Sequence, residues 1–470
     1  MTWLPRLRRW MTRLRRVGLG LGLGLGLGST SVAAQQPATI PQVLTLEEAL
    51  GLAEEHSPPV RQARNAVEAA EAQERAAWGA FLPQASASFG LSGGVSQSFT
   101  GIDDFGRPIE RDSALEFESS GTSQGIGLSV TLFDGGARFS QLDAAQAQRS
   151  AAVEAARSDL RRVRGEVARQ YWAVLFADRL AELQAALLAA ARERLEATER
   201  LLTVGARQPL DVAGAQVEVA TREQAVAEAR GRARKDRLEL VRLMGIGGAA
   251  DFRIAAERFP LLDPATLDVD ALVGVALQQN PELLRLAATG VAAEEQLDVA
   301  RAARWPIVRL SGGLNRSVFQ ERFGLMWEPN PLDRTFSFNL SATLPLFTGF
   351  DTSSRIAAAR ATLTNAREQH RTQQLQLESA VRGAVVDLEN AYQAVVLGER
   401  SVELSRQNVE MAQQQYETGA LSFLEYQQVI AQAAQTEQQL LQARLAYAQG
   451  LVRLQELVGE EAVPQPEPQP

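Results

Sequence analysis

The chain of 470 residues contains no cysteine, which excludes disulfides, thiolate metal sites and a lipid-modified N-terminal cysteine. Its two histidines, His56 and His370, stand far apart, so a histidine-based metal or catalytic site within one chain is not expected. Aromatic residues supply only 6% of a chain that is 45% apolar, and alanine is abundant. That composition suits thin, closely packed helices better than one thick globular core. After the first 34 residues no stretch approaches twenty consecutive apolar residues. Any membrane passage by the remainder must therefore use strands. Proline and glycine are missing from two long segments. Between Gly136 and Leu202 the one interior glycine is Gly165, and between Gly349 and Thr418 there are only Gly383 and Gly398; neither stretch holds a proline.

What is present begins with an arm carrying Arg6, Arg8, Arg9, Arg13, Arg15 and Arg16, the run "VGLGLGLGLGLG" and then "STSVAA". A basic arm, an apolar run and small residues in that order form an export signal, here 1–34 with cleavage near Ala34. The alternating glycines do not form a phosphate loop, because a basic arm stands where such a loop needs a strand. Removal of six arginines and no acid turns the formal charge of -8 into -14, and so acidic a surface argues against a nucleic-acid partner.

The remainder reads as a duplication. "EALGLAEEHSPPV" near 48 pairs with "DALVGVALQQNPEL" at 270, "AWGAFLPQASASFG" at 77 with "AARWPIVRLSGGLN" at 302, and "TVGARQPLDVAGAQ" at 203 with "ETGALSFLEYQQV" at 417. A repeat of this size means two copies of one element set, packed with approximate symmetry. The expected division is an N-terminal extension at 35–43, a first repeat at 44–246, a linker at 247–266, a second repeat at 267–458 and a polar, proline-rich tail at 459–470. Expected helices are 45–56, 59–81, 136–202 and 209–244 in the first repeat and 270–279, 282–304, 350–418 and 421–458 in the second.

Four strands are expected from alternation of period two: 84–99 and 121–133, then 307–320 and 334–346. Ile126, Leu128, Val130 and Leu132 interleave with Gly125, Gly127, Ser129 and Thr131, and Phe336, Phe338 and Leu340 interleave with Ser337, Asn339 and Ser341. A soluble sandwich also alternates. Here the polar face is rich in Ser, Asn, Gln and Gly while the other stays apolar to the strand ends, as in a wall between lipid and water. Arg309 and Arg316 share a face or oppose each other according to where a bulge falls.

The glycine- and proline-poor segments correspond to helical rods of about 100 Å, each long enough to be flanked by two shorter helices placed end to end. Four strands cannot close a barrel, and open edges in lipid leave backbone groups unpaired. Two copies would give eight strands and a plugged bore; three would give twelve and room for solute, which the wet inner face favours. "LFDGG" and "LFTGF" mark the rim where strand meets rod, with Phe133 and Phe347 as interfacial anchors and Gly135 and Gly349 allowing the turn.

The repeated order of helices and strands, the "LFDGG" and "LFTGF" junctions and the "VGARQPLDVAGAQ" and "TGALSFLEYQQV" turns resemble the TolC-like outer membrane efflux protein family, over about 44 to 458. The resemblance implies an all-α fold with a membrane β-barrel portion, four strands per chain completing a twelve-stranded barrel in a homotrimer, on a long helical tunnel across the periplasm. It implies an exit duct for efflux or type I secretion, partnered by a periplasmic adaptor, an inner-membrane transporter and outer membrane lipid. No catalytic residue, cofactor or metal is implied. Adaptor docking is carried over to the periplasmic tip at Gly205, Ala206, Gly419 and Ala420. An acidic ring at the aperture is carried over to Glu425, with Gln428 standing where the family's best-known members have a second acid and Asp211 as the first-repeat counterpart of Glu425. Glu425 equally suits a capping role on a solvated helix. The alternative to a duct is a non-transporting cell-envelope coiled-coil scaffold anchored by its strands.

Overall fold

The computed structural model describes residues 40–95, 104–107, 117–205, 208–247, 252–255, 261–320 and 334–463. The export segment, Ala206, the strand positions 96–99 and the tail from 464 onward lie outside the described residues. Residues Ile40–Pro470 form one compact unit.

The first half contains β1 (Val43–Leu44), α1 (Leu46–His56), α2 (Pro58–Gly79), β2 (Gln84–Val95), β3 (Phe117–Phe133), α3 (Ala137–Thr203) and α4 (Pro209–Met244). The second contains β4 (Arg253–Ile254), α5 (Val269–Gln279), α6 (Pro281–Ala302), β5 (Ile307–Gln320), β6 (Arg334–Thr343), α7 (Asp351–Glu417) and α8 (Phe423–Val458). The helix lengths agree between halves: 11, 22, 67 and 36 residues in each.

Local chemistry sets the helix starts. Thr45 caps α1, its hydroxyl accepting from the Glu48 N–H while the Glu48 carboxylate accepts from the Thr45 N–H, a reciprocal capping box. Pro58 and Pro281 occupy the first turn of α2 and α6, where a missing N–H costs nothing. Asn280 does two jobs: its carbonyl accepts from the Glu282 N–H at 3.0 Å and its amide donates to the Leu457 carbonyl at 3.2 Å, tying the start of α6 to the end of α8.

Helix α3 packs against α2 and α4 of its own half and against α6 and α8 of the other, while α7 packs against α6 and α8. The 22- and 36-residue helices thus lie along the 67-residue ones. Where they meet, α1 and α5 pack against the rods and close a belt. The two-stranded sheet of the belt pairs β1 with β4 in parallel. Ion pairs fasten the belt to α3: Arg164 to Glu54 and Glu460, and Arg169 to Glu456 at 2.6 Å. Gly245 ends α4 with φ of +73°, and a β-carbon there would stand 2.5 Å from the His56 carbonyl oxygen. Left-handed backbone and close approach together call for glycine at this position. An apolar core lies at the same level, where Leu272, Leu283, Val381, Leu388, Tyr447 and Leu454 join α5, α6, α7 and α8.

Tyr447 is fully buried, and its hydroxyl accepts from the Leu262 N–H and donates to the Leu262 carbonyl, both at 2.8 Å. Burial pushes its phenol up to about 12. Because the folded value is raised, this contribution to stability is complete below about pH 10, the unfolded value, and is lost as pH rises toward 12. Tyr447→Phe is expected to destabilise the unit by about 1 to 3 kcal/mol through the unpaired Leu262 backbone, read as a lower unfolding midpoint in denaturant at pH 8.

Candidate functional site

The second sheet has the order β2-β3-β5-β6, antiparallel throughout. Register places Ala87, Ile126, Leu314 and Phe336 in one row, Ala85, Leu128, Gly312 and Phe338 in the next, and Val130, Leu310 and Leu340 in a third, all on one face. The opposite face carries Ser88, Gly125, Asn315 and Thr335, then Ser86, Gly127, Gly313 and Ser337. Glycines on this polar face provide room. A β-carbon at Gly90 would come within 2.5 Å of the Ser123 hydroxyl, at Gly125 within 2.9 Å of the Ser88 hydroxyl and at Gly127 within 3.1 Å of the Ser86 hydroxyl.

A register shift between Thr131 and Phe133 leaves Leu132 as the extra residue of β3. Because of it Phe133 returns to the apolar face, opposite Val308, at the last row before the rods. Bulges re-aim side chains in this way at sheet rims. No shift falls between Arg309 and Arg316. Arg309 therefore shares the polar face with Thr131 and Ser341, and Arg316 the apolar face with Gln124 and Arg334.

The two junctions differ. In the first, Gly135 has φ of +69°, and a β-carbon there would lie 2.6 Å from Trp305 Cβ and 2.8 Å from the Ala302 carbonyl oxygen. Asp134 caps α3 by accepting from the Gly136 N–H at 3.2 Å and the Arg138 N–H at 3.3 Å, and it pairs with the Arg138 guanidinium at 2.9 Å. Arg138 in turn lies over the Phe81 ring, 5.2 Å from its centre. In the second, Gly349 has φ of +60° with open space around it, and Phe350, the counterpart of Gly136, takes φ of +68°. It is the only non-glycine with positive φ among the described residues. Leu346, Phe347 and Phe350 are 90%, 81% and 77% exposed, with the two rings edge to face at 6.1 Å. The asymmetry is not legible from the paired "LFxG" motifs, although a bulky residue at 350 against Gly136 is its one sequence trace.

At the other end of the rods, Gly205 and Gly419 have φ of +73° and +77°. Gly419 and Ala420 donate to the carbonyls of Tyr416 at 3.2 Å and Gln415 at 2.8 Å, a Schellman closure that satisfies the last turn of α7. Gly205 donates to the Leu202 carbonyl at 3.0 Å. Each turn then starts the next helix with a reciprocal cap. The Asp211 carboxylate accepts from the Gln208 N–H at 3.2 Å. Glu425 accepts from the Ser422 N–H at 3.0 Å and hydroxyl at 2.7 Å, while the Glu425 N–H donates back to that hydroxyl at 3.3 Å. Hydrogen bonds from Ser422 hold the Glu425 carboxyl below its usual range. Each acid thus bonds its own cap residue; Glu425 and Gln428 are exposed and Asp211 half-buried.

An aromatic group at the second tip escapes a reading based on acids and glycines. Tyr416 stacks on Tyr426 at 4.9 Å and lies 6.1 Å from Phe423. A β-carbon at Gly214 would meet the Phe423 ring at 3.3 Å, so glycine on α4 lets the two tips approach. Nearby, Glu218 pairs with Arg194 at 3.1 Å and with Arg222 at 3.7 Å. Aromatics seven and ten residues apart across a Thr-Gly-Ala turn were the available signal.

Comparison with known proteins agrees with this architecture. Over 350 residues the chain is 29% identical to Protein CyaE of Bordetella pertussis, covering 74% of this chain and 70% of that protein. A membrane protein from Pseudomonas aeruginosa superposes with a TM-score of 0.74 at 20% identity, covering 88% of this chain and 93% of that one. The outer membrane protein VceC of Vibrio cholerae superposes with a TM-score of 0.71 at 18% identity, covering 88% and 96%. The profile described as outer membrane efflux protein matches residues 49–246 and 272–460. Two matched segments, one on each repeat of helix, sheet and rod, show that the chain belongs to the outer membrane efflux protein family.

Proposed function

We propose that three copies of this chain form an outer membrane exit duct: a twelve-stranded barrel standing on a helical tunnel that crosses the periplasm. The duct conducts passively what an inner-membrane transporter delivers through a periplasmic adaptor, in small-molecule efflux or type I protein secretion. It does no chemistry. The carrying observation is a four-stranded sheet that is apolar on one face and polar on the other, with no partner strand among the described residues at the outer edges of β2 and β6. No helix among the described residues is long and apolar enough to cross a membrane. A strand-anchored scaffold would have no use for four strands whose one face stays apolar row after row while the other stays polar.

Assembly by like copies has a template within the chain. Junction one is completed by Ala302 and Trp305 of the other repeat. Placing Pro83 on Pro306 makes Gly79 and Leu82 their first-repeat counterparts. In a closed ring the open space at Gly349 receives the Gly79–Leu82 turn of the next copy, and exposed Phe347 and Phe350 cover that contact. On this reading 1–34 is removed on export, 44–246 and 267–458 are the two repeats joined by the linker 247–266, and Glu460 and Val463 after them pack into the belt. Gly205, Ala206, Gly419 and Ala420 form the tip that the adaptor grips, and Glu425 contributes to the aperture, with Gln428 one helical turn further on and Asp211 set back.

Four outcomes test this. Detergent-purified protein should have the mass of a trimer and conduct ions in a planar bilayer. Leu340→Arg should impair insertion by about 2 to 4 kcal/mol if mid-bilayer, while Ser341→Arg inserts and changes conductance. Equal defects at both positions would contradict the barrel. Glu425→Gln retains a side chain that serves in a capping box but removes the charge, so it should lower cation selectivity and raise the divalent concentration needed for block, with unchanged melting; Asp211→Asn should do less. Unaltered selectivity would leave Glu425 a cap alone. Gly419→Val forces a β-branched residue to positive φ, at about 1 to 3 kcal/mol, and should reduce adaptor cross-linking while the trimer persists.

A further inference from the structure

We propose that the basic run of α4, with Arg230, Arg234 and Lys235, docks on an acid-flanked apolar face of α7 in the next copy of the chain. The inference rests on the ring reading and names one seam of that ring. The halves align residue for residue here, Ala137 of α3 on Asp351 of α7 and Pro209 of α4 on Phe423 of α8, with equal lengths. Within the chain α3 packs against α8, whereas α4 and α7 share no such interface among the described residues. The contact that exists gives the register. Ala168, Trp172 and Phe176 of α3 cluster with Ala448 and Val452 of α8, and Arg169 pairs with Glu456 at 2.6 Å.

Exposure shows which face lacks a covering helix. Val386, Leu397, Leu404 and Met411 of α7 are each more than half exposed, while their α3 counterparts Trp172, Leu183, Ala190 and Ala197 are buried or half-buried. An apolar series covered in one half and open in the other fits a partner that repeats the covering. Carried over by the repeat, the cluster of Trp172 with Ala448 and Val452 becomes Val386 with Arg234 and Leu238 of the next copy. Leu238 is exposed. Size is exchanged across this contact, since tryptophan beside alanine becomes valine beside arginine, whose stem packs on apolar surface.

Charge completes the match. Residues 230–237 hold five cations and one acid in a chain that is acidic overall. On α7, Asp387 and Glu389 lie on opposite flanks of the Val386 stripe, and on α4 Lys235 and Arg230 lie on opposite flanks of Arg234 and Leu238. The Arg169–Glu456 pair fixes which flanks meet. In that antiparallel register Lys235 comes level with Asp387 on one flank and Arg230 with Glu389 on the other. All four are exposed, and among the described residues none has a side-chain hydrogen bond or ion pair within the chain. Charges flanking an apolar helix seam set partner and orientation, and both flanks fit a second copy.

Lys235 is the one lysine of the chain, so a carbodiimide, which joins an amine directly to a carboxylate and takes up the water released, reads this seam. Detergent-purified full-length trimer treated with it should give covalent dimers and trimers on a denaturing gel, and peptide mass spectrometry should find Lys235 joined to Asp387. Lys235→Arg keeps the charge and removes the amine; the linked species should be lost while trimer mass persists. Asp387→Arg with Glu389→Arg should speed subunit exchange between labelled and unlabelled trimers at least about threefold, and Arg230→Glu with Lys235→Glu in the same chain should reverse most of that gain. A conducting trimer in which Lys235 links only to acids of its own chain, or in which the charge reversals simply add, overturns the seam and leaves the duct. Linkage of Lys235 to a different protein in whole cells, with copies unlinked, gives the face to that protein and also overturns the seam. Absence of trimer and conductance in the wild type would instead overturn the duct, and the seam with it.

Discussion

The outer edges of β2 and β6 have no partner strand among the described residues, and in the proposed barrel each backbone N–H or C=O left facing hydrocarbon there would cost several kcal/mol. The proposed assembly answers to those edges. Inside the chain the two hairpins solve half of the problem by pairing β3 with β5. The remaining edges are complementary by construction, since one belongs to the first strand of the first repeat and the other to the last strand of the second. Closure through further copies is the arrangement that leaves no edge in lipid.

The rods extend the same repeat away from the four-stranded sheet. Helices of 22 and 36 residues lie along one of 67 in both halves, so the proposed ring of strands would continue as a ring of helices of constant thickness. Where the short helices meet, their ends would leave carbonyls and N–H groups without helical partners. The belt supplies them: Asn280 reaches Leu457, Gly245 lets the end of α4 abut His56, and Tyr447 holds Leu262. Polar satisfaction and apolar packing thus coincide at one level of the unit.

Approximate symmetry makes its departures informative. Gly136 and Phe350 take the same left-handed backbone, free of strain for glycine and costing about 1 to 3 kcal/mol for phenylalanine. The glycine sits where its own chain already covers the junction, and the phenylalanine sits where a second copy would. Strain retained at the open junction fits an aromatic contact between copies. The same contrast appears at the tips, where Tyr416, Phe423 and Tyr426 cluster on the second turn while Leu202, Pro209 and Val212 stand at the matching positions of the first.

The sequence by itself determined the features that depend on near neighbours. Period-two alternation in 126–132 and 336–341, the proline-free rods and the turn glycines at 205 and 419 all follow from steric and hydrogen-bonding rules acting within a few residues. The family resemblance was legible because these local signals recur in one order. Tertiary structure alone decided the rest. Whether Phe133 shares the face of Val308 turned on a bulge falling at Leu132, and whether Gly135 is enclosed turned on Trp305, about 170 residues away in sequence and adjacent only after the two halves pack. Glu425, an aperture candidate by position, bonds Ser422 in the protomer because the nearest unsatisfied N–H lies one helical turn away. Such outcomes are contests between distant segments for the same space or the same hydrogen bond, and a one-dimensional pattern does not record who wins them.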